Sequence, residues 1–329
     1  MRAFKLLPAC KDYLWGGDRL RTDFHVHSDL HPLAEAWVLS AHPDGPSVLP
    51  DGTTLPDYLA ANPGAAGTHC ASFEEFPVLV KLIDAKKDLS IQVHPSDDYA
   101  LAHEGQYGKT EMWVVLDAEP DAFLYYGFRH TITPDEFAER IRNNTLPEVL
   151  NAVPVHKGDV FFIPSGTLHA ICKGIVIAEI QQNSNVTYRI YDYGRLGADG
   201  KPRALHIPQA MAVTQLCPPA PQDFGPHLGS CRYFTTDAAA APFAGAADET
   251  SFVHLLITAG EGTLEMDGET MPLAPGDSVF IPAGAGAYRV AGGCKALVTR
   301  VYPQLSSASG NRQASGPCGR DWTVPFFKL

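Results

Sequence analysis

The chain has 329 residues, a formal net charge of −12 and 45% apolar residues. That length predicts two domains with a sizeable core. The negative balance argues against a general nucleic-acid or membrane-surface role, because either needs a basic face. The first 17 residues lack an apolar run long enough for a secretory signal, and no segment reaches the length of a transmembrane helix. Seven scattered cysteines without a CxxC pair predict neither a disulfide frame nor a zinc ribbon, and a reducing cytoplasm is the expected compartment.

In chain order, Leu89-Ser90-Ile91-Gln92-Val93-His94 alternates apolar and polar side chains, as a half-buried strand does, and Pro95 ends it. Further strands are predicted over 111–116 and 122–126, with 117–121 as the turn. Thr133 caps a predicted helix that runs to Leu150, with Pro134, Asp135 and Glu136 in its first turn. This is a small α-helical insert, near 131–150, in a β framework. Strands resume at 159–163 and 174–181, and residues 205–216 are read as a second helix.

The proline-rich stretch Cys217–Pro226 reads as a linker. The expected organisation is one metal-binding domain over 1–216, a linker over 217–230 and a second domain over 231–329. In the latter, residues 260–268 signal a hairpin with an Asp267-Gly268 turn. Residues 306–319 read as a mobile tail before a docking segment, 322–329.

Two stretches repeat. Gly158-Asp-Val-Phe-Phe-Ile-Pro164-Ser-Gly166-Thr-Leu-His169 is echoed by Gly276-Asp-Ser-Val-Phe-Ile-Pro282-Ala-Gly284-Ala-Gly-Ala287, with alanine where the first copy has histidine. The pattern resembles the second signature of the cupin superfamily. The fold class expected is therefore mainly β: two cupin-type (jelly-roll) barrels, the first furnished with ligands and the second without.

Gln92 and His94 leave the same face of their strand. With Glu111 and His169 they make a set of two imidazoles, one carboxylate and one amide, chemistry that suits a divalent ion such as zinc. Taken singly, His94 would be read as a core histidine and Glu111 as a surface acid. For Arg189, an ion pair with Asp192 or Asp159 is the reading that spacing alone favours.

Several blocks resemble type I phosphomannose isomerases: Trp15-Gly-Gly17, Glu35-Ala-Trp37-x3-Ala41-His42-Pro43, Leu89 to Pro95, Gly108-Lys-Thr-Glu-Met-Trp113, and Glu179 to Asp192. The resemblance implies one Zn2+ per chain held by Gln92, His94, Glu111 and His169. It also implies Arg189, Glu179 and Lys109 as catalytic residues, with Arg189 stabilising an enediolate and Glu179 a candidate base. Ser90, Lys109 and Trp15 would line a phosphosugar pocket, Ser90 and Lys109 holding the phosphate. Asn185 departs from the aspartate common in the family. The activity implied is interconversion of mannose 6-phosphate and fructose 6-phosphate through an enediol. The alternatives are a non-catalytic sugar-phosphate-binding or regulatory cupin and an Fe(II) cupin dioxygenase. No oligomeric state is implied.

Overall fold

The computed structural model describes residues 1–196 and 200–302, so the expected tail (306–319) and docking segment (322–329) lie outside the described residues. The chain is mainly β, and its strands form four sheets. A six-stranded floor sheet runs in the order Ala9–Lys11, Glu35–Leu39, Val78–Ala85, Ile175–Gln182, Glu111–Ala118, Val160–Ile163. A five-stranded roof sheet runs Tyr188–Tyr191, Ile91–Val93, His169–Ile171, Phe123–Phe128, Leu150–Pro154. Residues 229–300 add a back sheet (including Val253–Ala259, Ser278–Ile281 and Lys295–Arg300) and a four-stranded outer sheet. The back sheet also takes in Phe4–Leu6, which pairs antiparallel with Ser278–Ile281.

Side-chain alternation stacks these sheets in layers. On Val78–Ala85, the side chains of Val78, Val80 and Leu82 enter a core shared with Leu256, Phe280 and Leu297 of the back sheet. Ile83 and Ala85 face the other way, into a core shared with Leu124, Tyr126 and Ile171 of the roof. A third core, with Leu255, Ile281 and Val290, lies between the back and outer sheets. A fourth packs Phe137 and Ala210 of two helices onto the far side of the roof. Val78–Ala85 and Ile175–Gln182 are buried along their whole length, which explains their nearly unbroken apolar runs.

The expected barrels are not closed. Among the described residues, the strands of each half end in separate floor and roof, or back and outer, sheets that face one another without a continuous hydrogen-bonded ring. The Asp267-Gly268 hairpin forms as expected, both turn residues taking positive φ (51° and 77°).

The insert helix is shorter than predicted, spanning Pro134–Arg142, with Thr133 Oγ1 accepting from the Glu136 amide at 3.1 Å. It stops at Asn143-Asn144, where Asn144 takes φ 56°, and Leu146–Val149 continues as a single 3-10 turn. The second predicted helix is trimmed to Ile207–Val213. Three short α-helices were not anticipated, Leu55–Ala61, Asp97–His103 and Arg19–Thr22. The first carries a readable signal, a Thr54 cap followed by Pro56.

Candidate active site

The floor sheet brings a row of polar side chains to its roof-facing surface. Trp37, Lys81, Glu179 and Trp113 are consecutive cross-strand partners in register. Lys81 Nζ lies 3.7 Å from Glu35 and 3.3 Å from Glu179. Lys109 Nζ continues the alternation, 3.6 Å from Glu179 and 3.0 Å from Glu111. Two indoles brace the row: Trp37 Nε1 donates to Glu35 at 2.7 Å and Trp113 Nε1 to Glu179 at 2.9 Å. Burial pushes the Glu179 carboxyl up, but the Lys109 and Lys81 cations and the Trp113 N–H outweigh it and hold it at about 2. Glu111 moves the opposite way, raised by burial and by the Glu179 charge.

At one end of this row, His94, Glu111 and His169 converge, their ligand atoms all within 4.8 Å of one another and every residue buried. Both Nε2 atoms stand 3.4 Å from a Glu111 oxygen. Each Nδ1 donates to a backbone carbonyl, His94 to Val186 at 2.9 Å and His169 to Thr167 at 2.8 Å. Those bonds fix the tautomer so that Nε2 carries its lone pair toward the carboxylate. Burial drives both imidazoles toward the neutral form, His94 well below its usual value and His169 down to about 4.

Two lone pairs therefore face an anion, and His94 Nε2 and Glu111 Oε1 have no hydrogen-bond donor, while Glu111 Oε2 is met by Lys109 at 3.0 Å. Leaving such atoms buried costs about 1–3 kcal/mol apiece. A divalent cation relieves all of them together, so the residues present fit a metal. Among the described residues this is the only such cluster.

Gln92, the fourth predicted ligand, is a direct cross-strand partner of both His169 and Arg189. Its Nε2 lies 3.5 Å from His169 Nε2, while its Oε1 accepts from Ser90 at 3.4 Å. Oε1 would face the cluster only after the amide turns over. Arg189 Nε reaches Ser90 Oγ at 3.2 Å, and its Nη1 donates to the Ala204 carbonyl at 3.0 Å. The ion pair that spacing favoured for Arg189 does not form. Asp192 is instead claimed by Arg195 and Arg203.

Next to the cluster, and joined to it through Gln92 and Lys109, opens a cavity of about 250 Å³, lined also by Trp15, Lys81, Ser90, Glu179, Arg189 and Arg203 among others. Every predicted site residue thus falls at this cavity or in the cluster beside it. Asn185 also lines it, donating to Asp44 at 3.0 Å. Sequence reasoning missed Glu35, Lys81 and Arg203. For Lys81 a signal existed: a lysine inside the apolar run Val78–Ile83 must be buried with a partner.

Residues 3–119 match the family description "phosphomannose isomerase type I, catalytic domain", and residues 230–301 match "mannose-6-phosphate isomerase, cupin domain". The mannose-6-phosphate isomerase ManA of Bacillus subtilis is 35% identical over 311 residues, 89% of this chain and 97% of that protein. The chain belongs to the type I phosphomannose isomerase family. The probable mannose-6-phosphate isomerase GmuF of the same organism is 45% identical over 213 residues, 63% of this chain and 67% of its own length. The crystal structure of a Bacillus subtilis mannose 6-phosphate isomerase shares the family fold at a TM-score of 0.83 and 32% identity, covering 91% of this chain and 99% of that one.

The repeat is seen here in its physical form. Gly158 and Gly166 take φ 94° and 86°, and Gly276 and Gly284 take 89° and 74°. The copies then diverge, because Gly286 adds a further left-handed residue at φ 94° where the first copy has Leu168. The strand that follows has Ala287 exposed and Tyr288 buried, whereas His169 is fully buried. The position of the missing histidine faces out of the second half.

Proposed function

We propose that this chain interconverts mannose 6-phosphate and fructose 6-phosphate through an enediol, with a Zn2+ held by His94, Glu111 and His169, joined by Gln92 through its amide oxygen. The observation that carries the reading is the buried His94/Glu111/His169 cluster next to a cavity lined by cations, in a chain of this family. Neither alternative, a non-catalytic cupin or an Fe(II) dioxygenase, is favoured by any feature of the site. When bound, the ion supplies Lewis-acid stabilisation to oxygens on which negative charge develops.

The residues divide the remaining work. Shifting a proton between adjacent carbons builds negative charge on two sugar oxygens, and preorganised cations lower that barrier. Lys81 and Lys109, fixed by Glu35, Glu179 and Glu111, line the cavity and meet this demand. Arg189, held by Ser90 and Ala204, adds a third cation for the enediolate. Both Glu179 oxygens are engaged, Oε2 by the Trp113 N–H and Oε1 by the Lys81 and Lys109 ammonium groups, which leaves it a poor proton acceptor. We therefore assign it the positioning of the two lysines rather than the role of base. Trp15 forms an apolar wall and packs on Tyr13 at a centroid distance of 5.6 Å.

The test is a coupled assay for fructose 6-phosphate formed from mannose 6-phosphate, run beside metal analysis of the purified chain. Turnover that tracks zinc content supports the reading. Full turnover in metal-free protein, or none in the zinc-loaded protein, refutes it.

A further inference from the structure

The two ends of the cavity differ in charge. Around the metal-ligating end, three carboxylates (Glu35, Glu179, Glu111) alternate with two lysines, an arrangement one charge short on the cationic side. At the other end, Arg189, Arg195 and Arg203 surround a single carboxylate, Asp192, which leaves an excess of two positive charges. A bound dianion would balance them.

The three arginines are not equivalent. Arg195 is spent on structure: it donates to the Asp88 carbonyl, pairs with Asp192, and lies over the Tyr193 ring at 5.0 Å. Arg203 makes a two-pronged contact with Asp192, Nε to Oδ2 at 2.7 Å and Nη2 to Oδ1 at 2.6 Å. That contact leaves Nη1 free of any described hydrogen bond, on a residue that lines the cavity. Asp192 is itself buried, so the fork is held rigidly. The segment following Arg203 is tied to the Arg189 strand by three hydrogen bonds. His206 N donates to Arg189 O at 2.8 Å, Arg189 N to His206 Nδ1 at 3.2 Å, and Arg189 Nη1 to Ala204 O at 3.0 Å. Lys109, by contrast, is buried with its ammonium between two carboxylates, and is poorly disposed to neutralise a phosphate.

We propose, resting on the isomerase reading above, that Arg203 binds the phosphate of the sugar, with Asp192 as its positioning residue. The phosphate then lies at Arg203 rather than at Lys109, with Arg189 between it and the reacting carbons, where it serves the enediolate. The contacts His169–Gln92–Ser90–Arg189 run between the two ends, so a sugar phosphate lies along them with its carbonyl carbon toward the ligand cluster.

The experiment uses the zinc-loaded full chain and the Arg203→Gln, Arg203→Lys and Asp192→Asn variants. Removing a charge-assisted contact to phosphate should raise KM for mannose 6-phosphate roughly 10- to 100-fold in Arg203→Gln, with a smaller effect on kcat. The Ki of inorganic phosphate as a competitive inhibitor should rise with it. Arg203→Lys should recover part of both losses, while Asp192→Asn should weaken both without removing the charge. The ratio of kcat/KM for mannose 6-phosphate to that for unphosphorylated mannose should collapse in Arg203→Gln.

An unchanged Ki for phosphate, or equal losses on the two sugars, would overturn the assignment. Stabilisation against heat by inorganic phosphate, present in the original chain and absent in Arg203→Gln, reads the same contact without turnover. The assignment is therefore tested even if the isomerase reading fails, and that failure would show separately as an inactive parent enzyme.

Discussion

Lys81→Met removes the central cation of the floor row while keeping an unbranched, buried side chain. At 3.3 Å and 3.7 Å from Glu179 and Glu35, each attraction is worth about 5 kcal/mol at an effective dielectric constant near 20. The cost of desolvating the lysine cancels much of that sum, and breaking a buried pair typically costs about 3–5 kcal/mol. Urea unfolding at pH 7 should show a loss of that size.

The pH dependence follows from Glu179. Its folded pKa, about 2, lies below its usual value of 4.5, so it contributes stability that is present above 4.5 and lost as pH falls toward 2. Without Lys81 much of that contribution disappears. The gap between variant and parent should therefore be full at pH 7 and narrow as the carboxylates protonate. A loss under about 1 kcal/mol, or a gap of the same size at pH 7 and pH 3.5, would refute the account of the row as an interdependent charge network.

Other outcomes are equally definite. His169→Ala should abolish metal retention and turnover together, as followed by elemental analysis and the coupled assay. Ala287→His should bind no metal, because that side chain faces solvent. Arg189→Ala should retain zinc but lose turnover by at least tenfold, and unchanged kcat would exclude its role at the enediolate. Gly276→Ala should destabilise the fold severely, since a Cβ there would sit 1.8 Å from the Phe24 carbonyl oxygen at φ +89°. Near-normal urea unfolding would contradict this.

Local signals marked only part of the candidate ligand cluster, since His94 and Glu111 read singly as a core histidine and a surface acid and only the family resemblance joined them to His169. Alternation put Gln92 and His94 on one face of a strand, and the Gly-Pro-Gly turn marked His169. What was lost is what depends on partners distant in sequence. Glu35 and Lys81 meet only because their strands are neighbours in the floor sheet, and Arg203 reaches the cavity from a segment with no regular structure. The sequence was equally silent on closure, because short strands with matching turns look alike whether their edges join or stop. The repeat misled in one respect, because a single extra left-handed glycine changes which face of the following strand is buried.

Phe4–Leu6 is hydrogen-bonded to residues 278–281, and Phe4 stacks on Phe280 at 5.5 Å. During translation this strand precedes its partner by about 275 residues. At about 5–20 residues per second, that separation leaves it unpaired for roughly 15–55 s. The back face of the floor sheet, whose last strand ends at Gln182, waits a shorter time for Leu256, Phe280 and Leu297. A nascent chain thus carries an open apolar surface until the strands of residues 253–300 have been made.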